Sequence, residues 1–188
     1  MNTFDSINGR RSIRKFKPER ITREIIDKII MAGTKAPSGM NRQPWKFVVL
    51  DNERKARLLE VMAKRTKFLR RFRLNVEGYE FTMKSMEQAP VIILIFNTGA
   101  QPGSFFIPFY RYLRVIDIQS IGSAIQTMLL AAQDLGIGTL WICNTLLAEK
   151  QIRASFGKKE ELIAAIALGL ADEEPDPRPR KKLNEVVE

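Results

Sequence analysis

The sequence predicts one layered domain of interleaved strands and helices, α/β or α+β, and three observations carry that prediction. The chain has 188 residues, 45% of them hydrophobic and 28% charged, enough apolar surface for a single core and too little length for two. Isoleucines at helical spacing over 21–30 stand beside extended apolar runs, so the hydrophobic period switches between helix and strand along the chain. The run VIILIF at 91–96 is apolar on both alternating faces, as a central strand covered on both sides must be. No internal repeat interrupts this order, and residues 1–188 read as a single domain.

The elements follow in sequence. A short helix precedes Arg10. Ile21, Ile25, Ile26, Ile29 and Ile30 then predict an amphipathic helix over 22–33 with Thr22 as N-cap. After the turn-rich stretch APSGMNRQP, Trp45 to Leu50 is aromatic and β-branched and reads as a strand. Asp51-Asn52 opens a basic helix to about Lys64. Residues 64–88 mix charges, aromatics and methionines without a clean period, which suggests a partly helical excursion able to act as a lid. Gly99, Pro102, Gly103 and Pro108 mark a loop over 98–108. Val115, Ile118, Gly122, Ile125, Leu129, Ala132 and Leu135 trace one face of a long helix that Gly136 can end as a left-handed C-cap. GTLWIC at 138–143 is a strand, Ala148 to Phe156 a short helix closed by Gly157, and Leu162 to Leu170 a strand. The tail, 171–188, cannot be helical through its prolines.

Composition narrows the chemistry. Thirty-one Lys and Arg against twenty-one Asp and Glu give a net charge of +10, a field that favours phosphate-bearing partners, nucleic acid or small cofactors alike. Histidine is absent, which excludes Ser-His-Asp and Cys-His triads, His-ligated zinc and imidazole acid–base chemistry. The single cysteine, Cys143, excludes an intramolecular disulfide and a cysteine-built metal site, and no metal is expected. The N-terminus has no apolar signal region and the longest apolar run is far short of a membrane span, so a cytoplasmic location is expected.

Three stretches are equipped to bind an anionic, polar ligand. Arg10-Arg11-Ser12-Ile13-Arg14 offers guanidinium groups that grip phosphate bidentately, with a serine hydroxyl as a neutral donor. In APSGMNRQPW, Pro37 and Gly39 shape a turn that lets backbone approach a ligand, Ser38 adds a hydroxyl, and Asn41 and Gln43 offer donors and acceptors for a polar heterocycle. In the tail, Arg180 and Lys182 share the first group's chemistry, and an extended tail can reach a phosphate on its own or a neighbouring chain. Each stretch also has a plain alternative, a solvated basic loop, a helix-ending turn or an exposed tail. The basic run 54–73, interleaved with Phe68 and Phe72, is the footprint of a single-strand nucleic-acid binder, although no zinc-finger, RNP or KH pattern accompanies it.

Taken in order, RRSIRKF at 10–16, APSGMNRQPWKFVVL at 36–50, AAQDLGIGTLWI at 131–142 and RKKLNEVV at 180–187 resemble the nitroreductase family of FMN-dependent oxidoreductases. The resemblance implies an α+β fold with a central, mostly antiparallel sheet flanked by helices. It also implies a homodimer with FMN at the interface and a C-terminal extension, 171–188, that wraps the partner subunit. In that pattern Arg10, Arg11 and Ser12 fall at the FMN phosphate together with Arg180 and Lys182. Arg14 falls at the pyrimidine edge, where a fixed cation stabilises the charge that reduction creates. Pro37, Ser38, Gly39 and Asn41 fall against the flavin of the other subunit, and the backbone of Cys143 and Asn144 near N5. The family's Gly-Gly pair at that last place is replaced here by Cys143-Asn144.

The implied activity is hydride transfer from NADH or NADPH through flavin N5 to a nitroaromatic, quinone or similar small acceptor by a ping-pong mechanism, with no catalytic side chain assigned. A narrower likeness to iodotyrosine deiodinase lies in APSG, QPWKFVVL, QAPVIILIF and the RKKL tail. It raises reductive dehalogenation as an alternative, with Tyr79 and Lys84 as substrate-lid candidates, although Glu77 and Tyr79 do not keep that enzyme's lid spacing. A basic nucleic-acid-binding module is the alternative from another class.

Overall fold

Four strands pair antiparallel in the order β1-β2-β4-β3: β1 Trp45–Leu50, β2 Val91–Asn97, β3 Gly138–Ile142 and β4 Glu161–Gly169. The computed structural model describes residues 2–99 and 107–188. Six helices accompany the sheet: α1 Thr3–Gly9, α2 Arg23–Thr34, α3 Asn52–Arg71, α4 Glu77–Gln88, α5 Ile107–Asp134 and α6 Glu149–Ser155. The four strands pair antiparallel, in keeping with the mostly antiparallel sheet that was expected.

Period-2 alternation along β2 divides the core in two. Ile92, Leu94 and Phe96 face Leu58, Met62 and Leu69 of α3, Met86 of α4 and Ile152 of α6. Val91, Ile93 and Ile95 face Ile26 and Ile29 of α2 and Ile121, Ile125 and Met128 of α5. Every residue of β2 is buried, and each fully buried Leu, Ile or Phe contributes about 1.5–3 kcal/mol relative to exposure. A bulge shifts the β2–β4 register between Ile95 and Phe96. Gly33 allows α2 to pack closely on α5, since a Cβ there would meet Met128 and the carbonyl of Ala124.

Helix ends match their local chemistry. Thr22 caps α2 by accepting from Ile25 N, Asp51 caps α3 by accepting from Arg54 N, and Gly136 and Gly157 take positive φ after α5 and α6. The basic helix is longer than its charges suggest: α3 continues to Arg71 because Leu58, Met62, Thr66 and Leu69 keep a buried stripe beneath them. The excursion 64–88 is the end of α3, a turn with Arg73 at φ 57°, and α4. Most of the loop expected over 98–108 lies outside the described residues. By length and composition α5 could cross a membrane. Here one side packs on α2 and the sheet, while Phe109, Tyr112 and Val115 remain exposed.

Candidate functional site

The capping box of Asn2 and Asp5 fixes α1, which delivers the chain at Arg10 into an extended segment. That segment lies beside the edge strand: Ser12 bridges Thr139 in parallel, and Ile13 N donates to Thr139 O at 2.9 Å. Alternation buries Ile13 and leaves Ser12 and Arg14 half-buried on the other side. The chain leaving β4 runs back along the same segment. Lys17 N donates to Leu170 O at 2.9 Å, Asp172 N to Lys15 O at 3.0 Å, and the Glu173 carboxylate accepts from the backbone N–H groups of Arg14 and Lys15.

This return path carries the tail over α1 and encloses a cavity of about 400 Å³. Arg10, Arg11, Ser12, Arg14, Arg178 and Arg180 line it, with Asp176 as the one carboxylate in its wall. Arg11 is committed to structure, its Nη1 donating to Asn8 O at 2.6 Å, and Arg14 Nη1 donates to Ser12 O at 2.9 Å. Arg10 forms no ion pair among the described residues. Burial, and then the charges of Arg180 and Arg11, hold its guanidinium pKa below the ordinary value. Like charges gathered in a half-buried cavity disfavour one another, and an anion placed between them reverses that cost. The site therefore fits a phosphate-bearing group. Arg178 was not among the expected site residues, although it stands in the same RPRKK run as Arg180. Lys182 is exposed beside a single 3-10 turn, Leu183–Glu185, and does not line the cavity.

The second stretch forms a different cavity. Pro37, Ser38 and Gly39 line about 490 Å³ together with Tyr112, Ile116 and Ser120 of α5. Gly39 is required there, because a Cβ would overlap Ile116 Cγ2, a branched side chain that cannot swing aside. Gly39 N donates to Ser120 Oγ at 3.1 Å and Gln43 N to Ser38 Oγ at 3.1 Å. Met40, Asn41 and Gln43 all have positive φ, 53°, 51° and 45°. Left-handed non-glycine residues cost on the order of 1 kcal/mol each and gather where a loop is shaped for a task. The loop is held by Arg42, which pairs with the fully buried carboxylate of Asp117 on α5. Neither partner was expected from sequence; the available signal was a lone carboxylate in the apolar stretch 115–133. Asn41 accepts from Gln43 Nε2 at 3.2 Å. Trp45 is half-buried against the α2–α5 core.

At the far end of β3 the exposed Cys143 begins a 3-10 turn, Asn144–Ala148. The Asn144 side chain is turned to α4, with Nδ2 donating to Gly78 O at 3.1 Å and to Thr82 Oγ1 at 2.8 Å. Within one chain the cationic cavity, the Pro37–Gly39 cavity and the Cys143–Asn144 corner are thus separate places. The first two share the flank of α5, where Ser123 lines one and Gln126 the other.

The lid candidates are placed differently from expectation. Tyr79 is a core residue, 3% exposed among the α3–α4 apolar side chains, its hydroxyl without a hydrogen-bond partner among the described residues. Burial pushes its phenol pKa up to about 12, opposed by the Arg65 charge. The reason is periodicity: Val76, Tyr79 and Met86 form the buried stripe of α4, so the ring turns inward. Lys84 is exposed and lines a groove of about 520 Å³ between α3 and α4, with Leu59, Met83, Glu80 and Glu87. The basic run on α3 is also partly spoken for. Lys64 pairs with Glu60 at 2.6 Å, Arg70 pairs with Glu80, Lys55 Nζ donates to Ala89 O at 2.8 Å, and Arg65 Nε donates to Leu147 O at 2.8 Å.

The chain is similar to known proteins along nearly its whole length. The family model described as "Nitroreductase family" matches residues 7–170. The chain is 27% identical to "Putative NAD(P)H nitroreductase YfhC" of Bacillus subtilis, over 96% of this chain and 90% of that one. It is 25% identical to "Iodotyrosine deiodinase" of Thermotoga neapolitana, over 98% and 95%. Among solved structures, a "putative nitroreductase in complex with fmn" from Desulfovibrio desulfuricans superposes with a TM-score of 0.77 at 26% identity, covering 100% of this chain and 95% of that one. A family model that matches 7–170, most of the chain, assigns this protein to the nitroreductase family.

Proposed function

We propose that the chain is an FMN-dependent oxidoreductase that takes hydride from NADH or NADPH and passes two electrons to a small acceptor such as a nitroaromatic or quinone. The observation that carries this is the cavity where Arg10, Ser12, Arg14 and Arg180 converge, five arginines in its wall against the single carboxylate of Asp176. Relatives described as a nitroreductase and as an FMN complex support it.

In this proposal Arg10, Ser12 and Arg180, with Arg178 beside them, hold the FMN phosphate by charge-assisted hydrogen bonds, and Lys182, outside the cavity, adds only its charge. Arg14 offers its charge to the pyrimidine edge, and the backbone at Cys143 and Asn144 approaches N5. When bound, FMN supplies the hydride-accepting and hydride-donating chemistry, which is why no histidine is needed. The protein binds, orients and supplies the field.

Pro37, Ser38, Gly39 and Asn41 complete the site of a partner subunit. Exposed Phe109, Tyr112 and Val115 on α5, with Leu183, Val186 and Val187 on the tail, support a homodimer in which these apolar surfaces are covered. The site is thus composite and formed by one domain per chain; a cytoplasmic location, which suits the single Cys143, is part of the proposal. Tyr79, in the core, is not placed to close over a substrate, whereas Lys84 is exposed on the α3–α4 groove and a deiodinase is among the relatives, so dehalogenation stands as the second reading behind nitro and quinone reduction.

The test is FMN uptake by purified protein, followed by anaerobic reduction with NADH and NADPH and reoxidation by nitro, quinone and halotyrosine acceptors. Protein that takes up no FMN contradicts the proposal, and a response to halotyrosines alone replaces the favoured acceptor class.

A further inference from the structure

Asn144 stands one residue beyond exposed Cys143, at the corner assigned above to the flavin edge, yet its amide points away from that corner to the first turns of α4. Its Nδ2 donates to Thr82 Oγ1 at 2.8 Å and to Gly78 O at 3.1 Å, while Thr82 Oγ1 donates to Gly78 O at 2.8 Å. The three groups close a small ring of hydrogen bonds in which one amide grips two successive turns of one helix. Beneath the same turns Tyr79 is sunk in the core, so α4 is held from below by packing and from the side by Asn144.

Phe81 shares this face of α4, three residues after Gly78 and one before Thr82. It is 56% exposed, a phenyl ring presented largely to solvent. A glycine at position 144, the family pattern, has no amide with which to hold the helix. The latch is therefore a property of this chain's own Asn144 and Thr82.

We propose that Asn144 is a positioning residue that fixes α4 to the flavin-edge corner and thereby sets the height of Phe81, the wall against which a flat aromatic acceptor is held. The proposal rests on the flavin reading above. It predicts selectivity for planar acceptors that stack on a phenyl ring over acceptors that cannot.

Thr82→Val keeps the shape of the side chain and removes both hydrogen bonds of its hydroxyl; Asn144→Gly removes the amide. Hydrogen exchange is measured on wild type, both variants and the double variant. The amides of residues 78–84 are expected to exchange about tenfold faster in each variant, and the double variant by less than the product of the two, because both changes break the shared Asn144–Thr82 hydrogen bond. Those of α3 should not change.

In turnover, Thr82→Val should raise the KM for menadione about tenfold with kcat little changed, and leave the KM for ferricyanide, which has no ring to stack, where it was. Phe81→Ala should give the same menadione shift without faster exchange at 78–84. Unchanged exchange in Thr82→Val, or menadione and ferricyanide KM values that move together, overturns the latch. A wild type that holds no flavin overturns the parent reading and this role with it, whereas flavin-loaded variants with wild-type profiles overturn the latch alone.

Discussion

Arg42 and Asp117, 75 residues apart, form a two-point ion pair: Nε to Oδ1 at 3.0 Å and Nη2 to Oδ2 at 3.3 Å. Asp117 is fully buried and Arg42 retains 28% of its side-chain exposure. The pair fastens the Pro37–Pro44 loop to α5. Its hydrogen-bonded arginine is held above its ordinary pKa. Removing the cation strands a buried carboxylate, so Arg42→Ala should cost about 3 kcal/mol, or roughly 9 °C in Tm. Thermal unfolding checks this, and an unchanged Tm would mean the loop is held by its backbone contacts alone.

Asn41 occupies the left-handed region that asparagine tolerates better than alanine. Asn41→Gly keeps the backbone conformation and removes the amide, whereas Asn41→Ala removes the amide and strains the backbone. Both should weaken FMN retention about tenfold, by loss of a hydrogen-bonding group, and only the alanine variant should also lower Tm. Equal FMN affinity for Asn41→Gly and wild type, measured by fluorescence titration, would return the loop to a structural role.

Tyr79 offers a test between lid and core. Its buried hydroxyl has no partner among the described residues, so Tyr79→Phe removes an unsatisfied group and should leave stability unchanged or raise it by about 1 kcal/mol. The folded state favours the neutral phenol. That contribution is complete below pH 10 and is lost as pH rises toward about 12. Denaturant titration with and without the hydroxyl should therefore diverge only in alkali. A large loss of acceptor turnover in Tyr79→Phe would contradict the core placement and revive the dehalogenase lid.

The Glu160 carboxyl is pulled from 4.5 down to about 2, first by its hydrogen bond from Lys46 and then by backbone N–H donors. A depressed carboxyl stabilises the folded state above its unfolded pKa, and the stabilisation fades as pH falls from 4.5 through about 2. Lys46→Met should shift the Glu160 titration upward in an NMR pH series. Lys46 is nearly half exposed, so the stability change at neutral pH should be small.

Much of this was legible in the sequence, and the failures have physical causes. Thr22, Asp51, Gly136 and Gly157 announced their helix ends because caps act locally. Arg10, Ser12 and Arg180 join as one phosphate-binding site, with Arg14 at the pyrimidine edge, through the family resemblance rather than through local chemistry, and the fold brings all four to one cavity. Charges hid the far end of α3, whose buried stripe of Met62, Thr66 and Leu69 is interrupted by a threonine. Tyr79 is a lid candidate from the deiodinase likeness alone, and the helix phase it shares with Val76 and Met86, which buries it, is not part of that likeness. Arg42–Asp117 and Asn144–Thr82 are contacts across 75 and 62 residues, and no local pattern encodes them.

The central claim is that two chains together build each flavin site, Arg10 from one and Asn41 from the other. The most direct measurement titrates FMN into wild type, Arg10→Ala, Asn41→Ala and a co-refolded mixture of the two variants, at an FMN concentration that saturates wild type only. The account predicts one FMN per wild-type chain, little in either variant, and recovery at about a quarter of the sites in the mixture, because each mixed dimer carries one site with both residues intact. A wild type that takes up no FMN, or a mixture that recovers none, would contradict it.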